Sequence, residues 1–243
     1  MQHLTDTKHG PGTVVIACAS LARYSEFWMC VEALQVPHGT RVINTRGADF
    51  VHGFNEGIRK MSGEWVFILG DDHTFNPNIL MKLLDREVDL VMPVVPRRDS
   101  PFVPVLMHGP LSELMRRYSW LDLPITGLFQ LPVGDSAGQA GAVIRKPVLD
   151  MLGDPWFRAG QLVPGRVNED MDFIKRMHEL GVKVWIDCDE VMGHIANVTV
   201  TPLRFNGRWF AGHQTPRGPV IWDEPEMVYK GHEDKIYNIR QVA

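Results

Sequence analysis

The chain has 243 residues, with 25 Lys+Arg against 29 Asp+Glu for a formal net charge of -4, and 44% of its residues are hydrophobic. These values fit one soluble globular domain with a short appendage, and they exclude a basic nucleic-acid footprint spread over the whole chain. Leu, Ile, Val, Phe, Met and Trp recur throughout, which argues against disorder.

The opening segment, Met1 to Gly12, is polar and lacks the apolar core of a secretory signal. No apolar run approaches the roughly 18 residues of a membrane span. A cytoplasmic protein without a membrane span is therefore expected. The three cysteines, Cys18, Cys30 and Cys188, form no CxxC pair and no zinc-type spacing, so they read as small apolar residues.

Thr13 to Ala19 is a nearly continuous apolar and β-branched run, as expected of a strand buried on both faces. Phe27, Val31 and Leu34 then recur at helical spacing, and Val36-Pro37-His38-Gly39 supplies a stop. A short strand over Arg41 to Asn44 leads to a helix with Phe50, Phe54, Ile58 and Met61 on one face and Gly63 as its cap. Trp65 to Leu69 predicts a central strand, followed by Gly70-Asp71-Asp72-His73. Asn76 and Pro77 suit the cap and first position of a helix carrying Ile79, Leu80, Leu83 and Leu84. Val88 to Val95 reads as another buried strand.

From Pro96 to Gly138 the periodicity weakens, and only a short helix around Leu111 to Tyr118 is expected. A strand over Gly141 to Arg145, a short helix after Pro147, a helix from Glu169 to Leu180 with Asn168 as cap, and a strand over Val182 to Asp187 follow. Alternating strands and helices predict an α/β fold: a mostly parallel twisted sheet flanked by helices. The expected organisation is a flexible terminus over 1–12, one core over 13–195, and an irregular extension over 196–243 with Trp209, Phe210, His213, Trp222 and Tyr229 among Gly and Pro. Such aromatics pin a tail to its core or stack on a ligand.

The carboxylates carry the chemistry. Asp71 and Asp72 directly follow a buried strand, where open sheets place ligand groups, and adjacent carboxylates there suit an oxygen-preferring cation such as Mg²⁺ or Mn²⁺. The competing reading is a polar turn. Glu169 and Asp170 open a helix, where acidic residues also serve as ordinary caps. Asp172 stands four residues before Arg176, the spacing of an exposed ion pair. His194 follows Gly193, where a lone histidine is more often structural than metal-ligating, and Arg97 and Arg98 are phosphate partners or solvated charges.

In order, Asn55-Glu56-Gly57-Ile58, Ser62-Gly63-Glu64-Trp65 with its strand, Asp71-Asp72, Gly141 to Arg145, Glu169-Asp170-Met171-Asp172-Phe173 and His194 resemble the GT-A fold glycosyltransferases, most closely the family-2-like group. That resemblance implies a Rossmann-like fold and a hexosyltransferase-like, metal-dependent enzyme that uses a UDP- or GDP-sugar and an unidentified acceptor. It implies donor contacts at Ala17, Ala19, Ser20, Asn55, Asp71 and Arg97, and a Mn²⁺ or Mg²⁺ ion on Asp72, with His194 and Asp71 as further ligands. Gly70 stands where the family's motif has its first Asp, which leaves Asp71, Asp72 and His73 competing for the metal. Asp170, or second to it Glu169, would be the base of an inverting transfer. A metal-dependent nucleotidyltransferase or phosphohydrolase would use the same Asp pair, and a non-catalytic nucleotide-sugar-binding relative would keep the site without the chemistry.

Overall fold

A computed structural model of the chain describes residues 1–5, 7–18, 24–46, 49–98, 102–109, 116–158, 169–195, 199–205, 207–215, 218–223 and 238–241; for 46, 199, 205, 213–215, 218–223 and 238–241 it describes the backbone only. The first part of the chain runs β1 (Gln2–Leu4), β2 (Thr13–Cys18), α1 (Ser25–Ala33), β3 (Gln35–Pro37), β4 (Arg41–Arg46), α2 (Phe50–Arg59), β5 (Trp65–Gly70), β6 (His73–Phe75), α3 (Ile79–Asp85) and β7 (Leu90–Val94). Next come β8 (Leu106–His108), β9 (Arg116–Arg117), a 3₁₀ turn at Trp120–Asp122, β10 (Leu128–Gln130), β11 (Ser136–Ala137), β12 (Ala142–Arg145) and α4 (Lys146–Leu152). The last described elements are α5 (Glu169–Glu179), β13 (Val184–Ile195), β14 (Thr199–Phe205), β15 (Arg208–Thr215), β16 (Gly218–Asp223) and β17 (Asn238–Gln241).

The main sheet corrects the expectation of a Rossmann-like, mostly parallel GT-A sheet. Its strand order is β17-β16-β15-β14-β13-β7-β12-β5-β2-β4, with β6 and β10 also paired to β13. Only β2 with β4, β2 with β5, and β7 with β13 pair in parallel. Strand β12 enters antiparallel between β5 and β7, and every pairing from β13 outward to β17 is antiparallel. The physical reason lies in the pairing: parallel neighbours require a long crossover connection, whereas antiparallel neighbours do not. The expected irregular extension is therefore also corrected, since β14 to β17 form a meander.

The central strands are buried on both faces, and their side chains alternate between two cores. Val15, Ala17, Val66, Ile68, Leu90, Met92 and Ile144 share one cluster with Phe54 and Ile58 of α2 and Phe173, Ile174 and Met177 of α5. Val14, Ile16, Phe67, Leu69, Val91 and Val143 face the other way, onto Phe27 and Val31 of α1 and Ile79, Leu80, Leu83 and Leu84 of α3. Burying each such side chain stabilises the fold by roughly 1.5–3 kcal/mol. Helix α2 starts where the Asp49 carboxylate accepts from His52 N–H at 2.8 Å, and it lies so close to β2 that a Cβ on Gly57 would meet Val15 at 2.3 Å.

Local details depart from the sequence expectations. Helix α2 is capped at Lys60, while Gly63, at φ 85°, packs in the following turn against the Pro11 carbonyl. Helix α3 begins after Asn78 rather than Asn76. Of the helix expected over Leu111 to Tyr118, residues 111–115 lie outside the described residues, and Arg116 and Arg117 are extended in β9. Asn168 also lies outside them. None of the three cysteines is in a disulfide; Cys18 and Cys188 are buried. No described helix is long and apolar enough to cross a membrane.

Candidate metal and acid–base site

Strand β5 delivers Asp71 and Asp72 to its carboxyl end, and the chain reverses into β6. That strand pairs antiparallel with the far end of β13, placing His73 opposite His194, and Ile195 N–H donates to the Asp72 carbonyl at 2.7 Å. The ligand atoms of Asp72, His73 and His194 lie within 4.8 Å of one another, with the two imidazoles stacked at 4.5 Å between centroids. His194 Nδ1 is 3.0 Å from the Pro96 carbonyl oxygen and Nε2 is 3.1 Å from Asp72 Oδ2. A carbonyl can only accept, so Nδ1 carries a proton; Nε2 of the neutral ring then turns a lone pair toward a carboxylate oxygen. A proton or a cation must lie between them.

His73 strengthens that geometry. It is 5% exposed, neither ring nitrogen makes a hydrogen bond, and Nδ1 stands 3.0 Å from Asp72 Oδ1. A buried imidazole whose Nδ1 meets only the Asp72 carboxylate and whose Nε2 has no polar partner among the described residues is costly without a further partner. Burial works against ionising Asp72, but contacts from His194 and then His73 outweigh it and hold the carboxyl far below the usual carboxylate range. Arg98 Nη1 adds a contact to Asp72 Oδ2 at 3.2 Å. A carboxylate with two imidazoles, one oriented through its far nitrogen by a carbonyl, is a donor set that fits a divalent cation.

The second group lies at the start of α5. Asp170 lines a cavity of about 100 Å³ together with Arg97, Arg117, Ser136 and Gly138. Although the residue keeps some solvent contact, burial is the largest cause that pushes its carboxyl up to about 7, with the neighbouring Glu169 charge second; the Gln139 N–H works the other way. An acid of this kind exchanges protons near neutrality. Arg97 borders this cavity while the adjacent Arg98 touches Asp72, so residues 97–98 link the two groups.

The other sequence-nominated residues fall as follows. Ala17, one residue before the end of β2, pairs with Gly70 in the parallel register, close to the turn that holds Asp72. Ala19 and Ser20 lie outside the described residues. Asn55 is 5% exposed and uses both ends of its amide on the Phe157 backbone, at 2.8 and 3.0 Å, clasping α2 to the segment after α4. Asp71 is buried and stands outside the three-residue group. The expected exposed Asp172–Arg176 pair is instead buried: Asp172 is 1% exposed and accepts from Arg158 at 2.8 and 2.7 Å as well as from Arg176 at 2.9 Å. Trp209 pins the C-terminal strands to the core, its Nε1 donating to the Pro124 carbonyl at 2.9 Å beside Trp120. Trp222 and His213 have only their backbone described, and Tyr229 lies outside the described residues.

Arg117 and Ser136 escaped sequence reading because neither sits in a motif. His73 emerged only as a competitor for the metal. An imidazole directly after an acidic pair was its one local signal; the partner that completes it is 121 positions away.

No protein-family model matches the chain, and no curated protein matches it significantly. Among solved structures, A197 from STIV is similar over 96% of this chain and 100% of its own, at 12% identity and a TM-score of 0.46.

Proposed function

We propose that the chain is a divalent-metal-dependent glycosyltransferase that moves a sugar from a UDP- or GDP-sugar to an acceptor hydroxyl. One observation carries this reading: the Asp72, His73 and His194 ligand atoms converge within 4.8 Å beside Arg98. The ordered motifs that resemble glycosyltransferases add support. Two nitrogen donors favour Mn²⁺ over Mg²⁺, which prefers oxygen.

A divalent cation held there would offset the charge that develops on a departing nucleoside diphosphate. Arg98 is 60% exposed at its side chain, and its guanidinium would pair with a phosphate oxygen of a donor held at this group. Asp170 takes the proton of the acceptor hydroxyl as the new bond to the sugar forms, in a single inverting displacement. Its proton affinity near neutrality suits that task, because a base works best when its pKa lies near the operating pH.

The test is thermal stability with UDP and GDP, each with and without Mn²⁺. The expected result is a metal-dependent rise in Tm for at least one nucleoside diphosphate, absent in Asp72→Ala. Lack of any such rise in the unmodified chain removes this reading. A panel of sugar nucleotides with Mn²⁺, assayed for nucleoside diphosphate release, then identifies the donor.

A further inference from the structure

The small sheet made by β11, β8 and β9 has a register with a chemical consequence. Ser136 pairs directly with Met107, and Met107 with Arg117, so the three form one cross-strand row. Directly opposed residues present their side chains on the same face of a sheet. All three line the cavity that Asp170 and Met171 close from α5 and Arg97 from the other side. Ser136 is 2% exposed and its hydroxyl has no hydrogen-bond partner. Gln139, three residues on and 6% exposed, leaves both side-chain polar atoms without one.

A buried, orphaned hydroxyl in a cavity bordered by two guanidinium side chains is suited to an oxyanion. Arginine matches the planar or tetrahedral oxygens of carboxylate and phosphate, and a hydroxyl donor completes the set. The cavity of about 100 Å³ has room for one such group. We propose that this cavity takes an acceptor that carries an oxyanion, a phosphate monoester or a carboxylate, next to its reacting hydroxyl. Arg117 and Ser136 hold the oxyanion, Arg97 flanks it, and Asp170 faces the hydroxyl. The word acceptor rests on the glycosyltransferase reading; the anion site itself does not.

The experiment separates the two. In EDTA, at constant ionic strength kept with chloride, inorganic phosphate and acetate are titrated against the full chain and Tm is followed. At least one is expected to raise Tm with rising concentration, phosphate alone indicating a phosphate monoester and acetate alone a carboxylate. Arg117→Gln weakens that binding by about tenfold or more, because a charge-assisted hydrogen bond is lost. Ser136→Ala weakens it less, and Lys60→Gln, on the exposed end of α2, leaves it unchanged. The Tm of each variant without anion reports whether it folds, and a phosphate-induced shift of the Arg117 guanidinium signal by NMR tests the site without any variant. Anion binding that survives Arg117→Gln but disappears in Arg98→Gln places the anion at the Asp72 group and overturns the proposal. So does the absence of any anion response in a chain that still responds to Mn²⁺ with a nucleoside diphosphate. If the anion binds in EDTA but no nucleoside diphosphate does with Mn²⁺, the enzyme reading falls and the anion site stands.

Discussion

At the end of β5, Asp72 touches two imidazoles and a guanidinium, whereas at the start of α5 Asp170 is half-buried beside the Glu169 carboxylate, in a cavity whose arginines, Arg97 and Arg117, share its wall with apolar residues. The same side chain is held ionised in the first place and driven toward its protonated form in the second. Asp172, two residues on and on the opposite side of α5, meets a third environment and is forked between Arg158 and Arg176. What surrounds a carboxylate decides whether it serves as a cation ligand, a proton acceptor or a structural anchor.

Four experiments would sharpen or break that contrast. The largest effect is expected for Asp170→Asn, which removes the proton acceptor and lowers turnover by about 10²–10⁴-fold. Donor binding, followed by Tm with Mn²⁺ and a nucleoside diphosphate, should be unaffected. In the unmodified chain turnover should rise with pH through about 7, as the base ionises, and the variant should lack that rise. Near-normal turnover in Asp170→Asn would show that the α5 carboxylate is not the base.

Asp172→Ala strands two guanidiniums that the buried carboxylate now pairs, and should cost about 3–5 kcal/mol. For a chain of this size that is a fall in Tm of roughly 10 °C. A fall of only a degree or two would mean that Asp172 behaves as the surface pair its spacing suggested. His194→Gln should weaken Mn²⁺ binding by at least about 10–100-fold, the scale on which even outer partners of a metal act, with little change in metal-free Tm. Equal Mn²⁺ affinity in both proteins, measured by calorimetry, would exclude His194 as a ligand.

The smallest effect concerns stability and pH. Because folding raises the Asp170 pKa from 3.8 to about 7, the folded chain binds its proton more tightly than the unfolded one. The stability associated with that proton is present below the unfolded pKa and is lost as pH rises through about 7. Relative to Asp170→Asn, Tm should therefore fall by about 2–5 °C between pH 4 and 8, a modest figure because solvent screens the charge. Activity and stability thus respond to the same titration with opposite signs. A pH dependence of Tm identical in the two proteins would place the carboxyl in the ordinary range.

Much of the inner structure was legible in the chain. The apolar runs at Thr13–Cys18, Trp65–Gly70 and Ala142–Arg145 are strands buried on both faces, and the 3.6-residue spacing of Phe50, Phe54 and Ile58 marks α2. Position alone put Asp72 at a strand end and Asp170 in the first turn of α5; their metal and base roles came from the resemblance. Strand direction was not legible: Ala142 to Arg145 reads the same whether it joins β5 and β7 parallel or antiparallel, and it joins them antiparallel. The late strands were hidden because Gly and Pro between short runs look irregular when their partners are unknown.

By itself, then, the sequence determined which segments are apolar enough to be buried, roughly where several helices lie, and which carboxylates stand at element ends. These are properties of neighbouring residues: periodicity, capping and side-chain chemistry. Only the tertiary structure decided that His73 meets His194, that Ser136, Met107 and Arg117 form one row, and that Asp172 is buried between two arginines. Each of those depends on strand register or on contacts between distant segments. A shift of one residue would send every side chain of a strand to the opposite face, and the local sequence bears no mark of that choice.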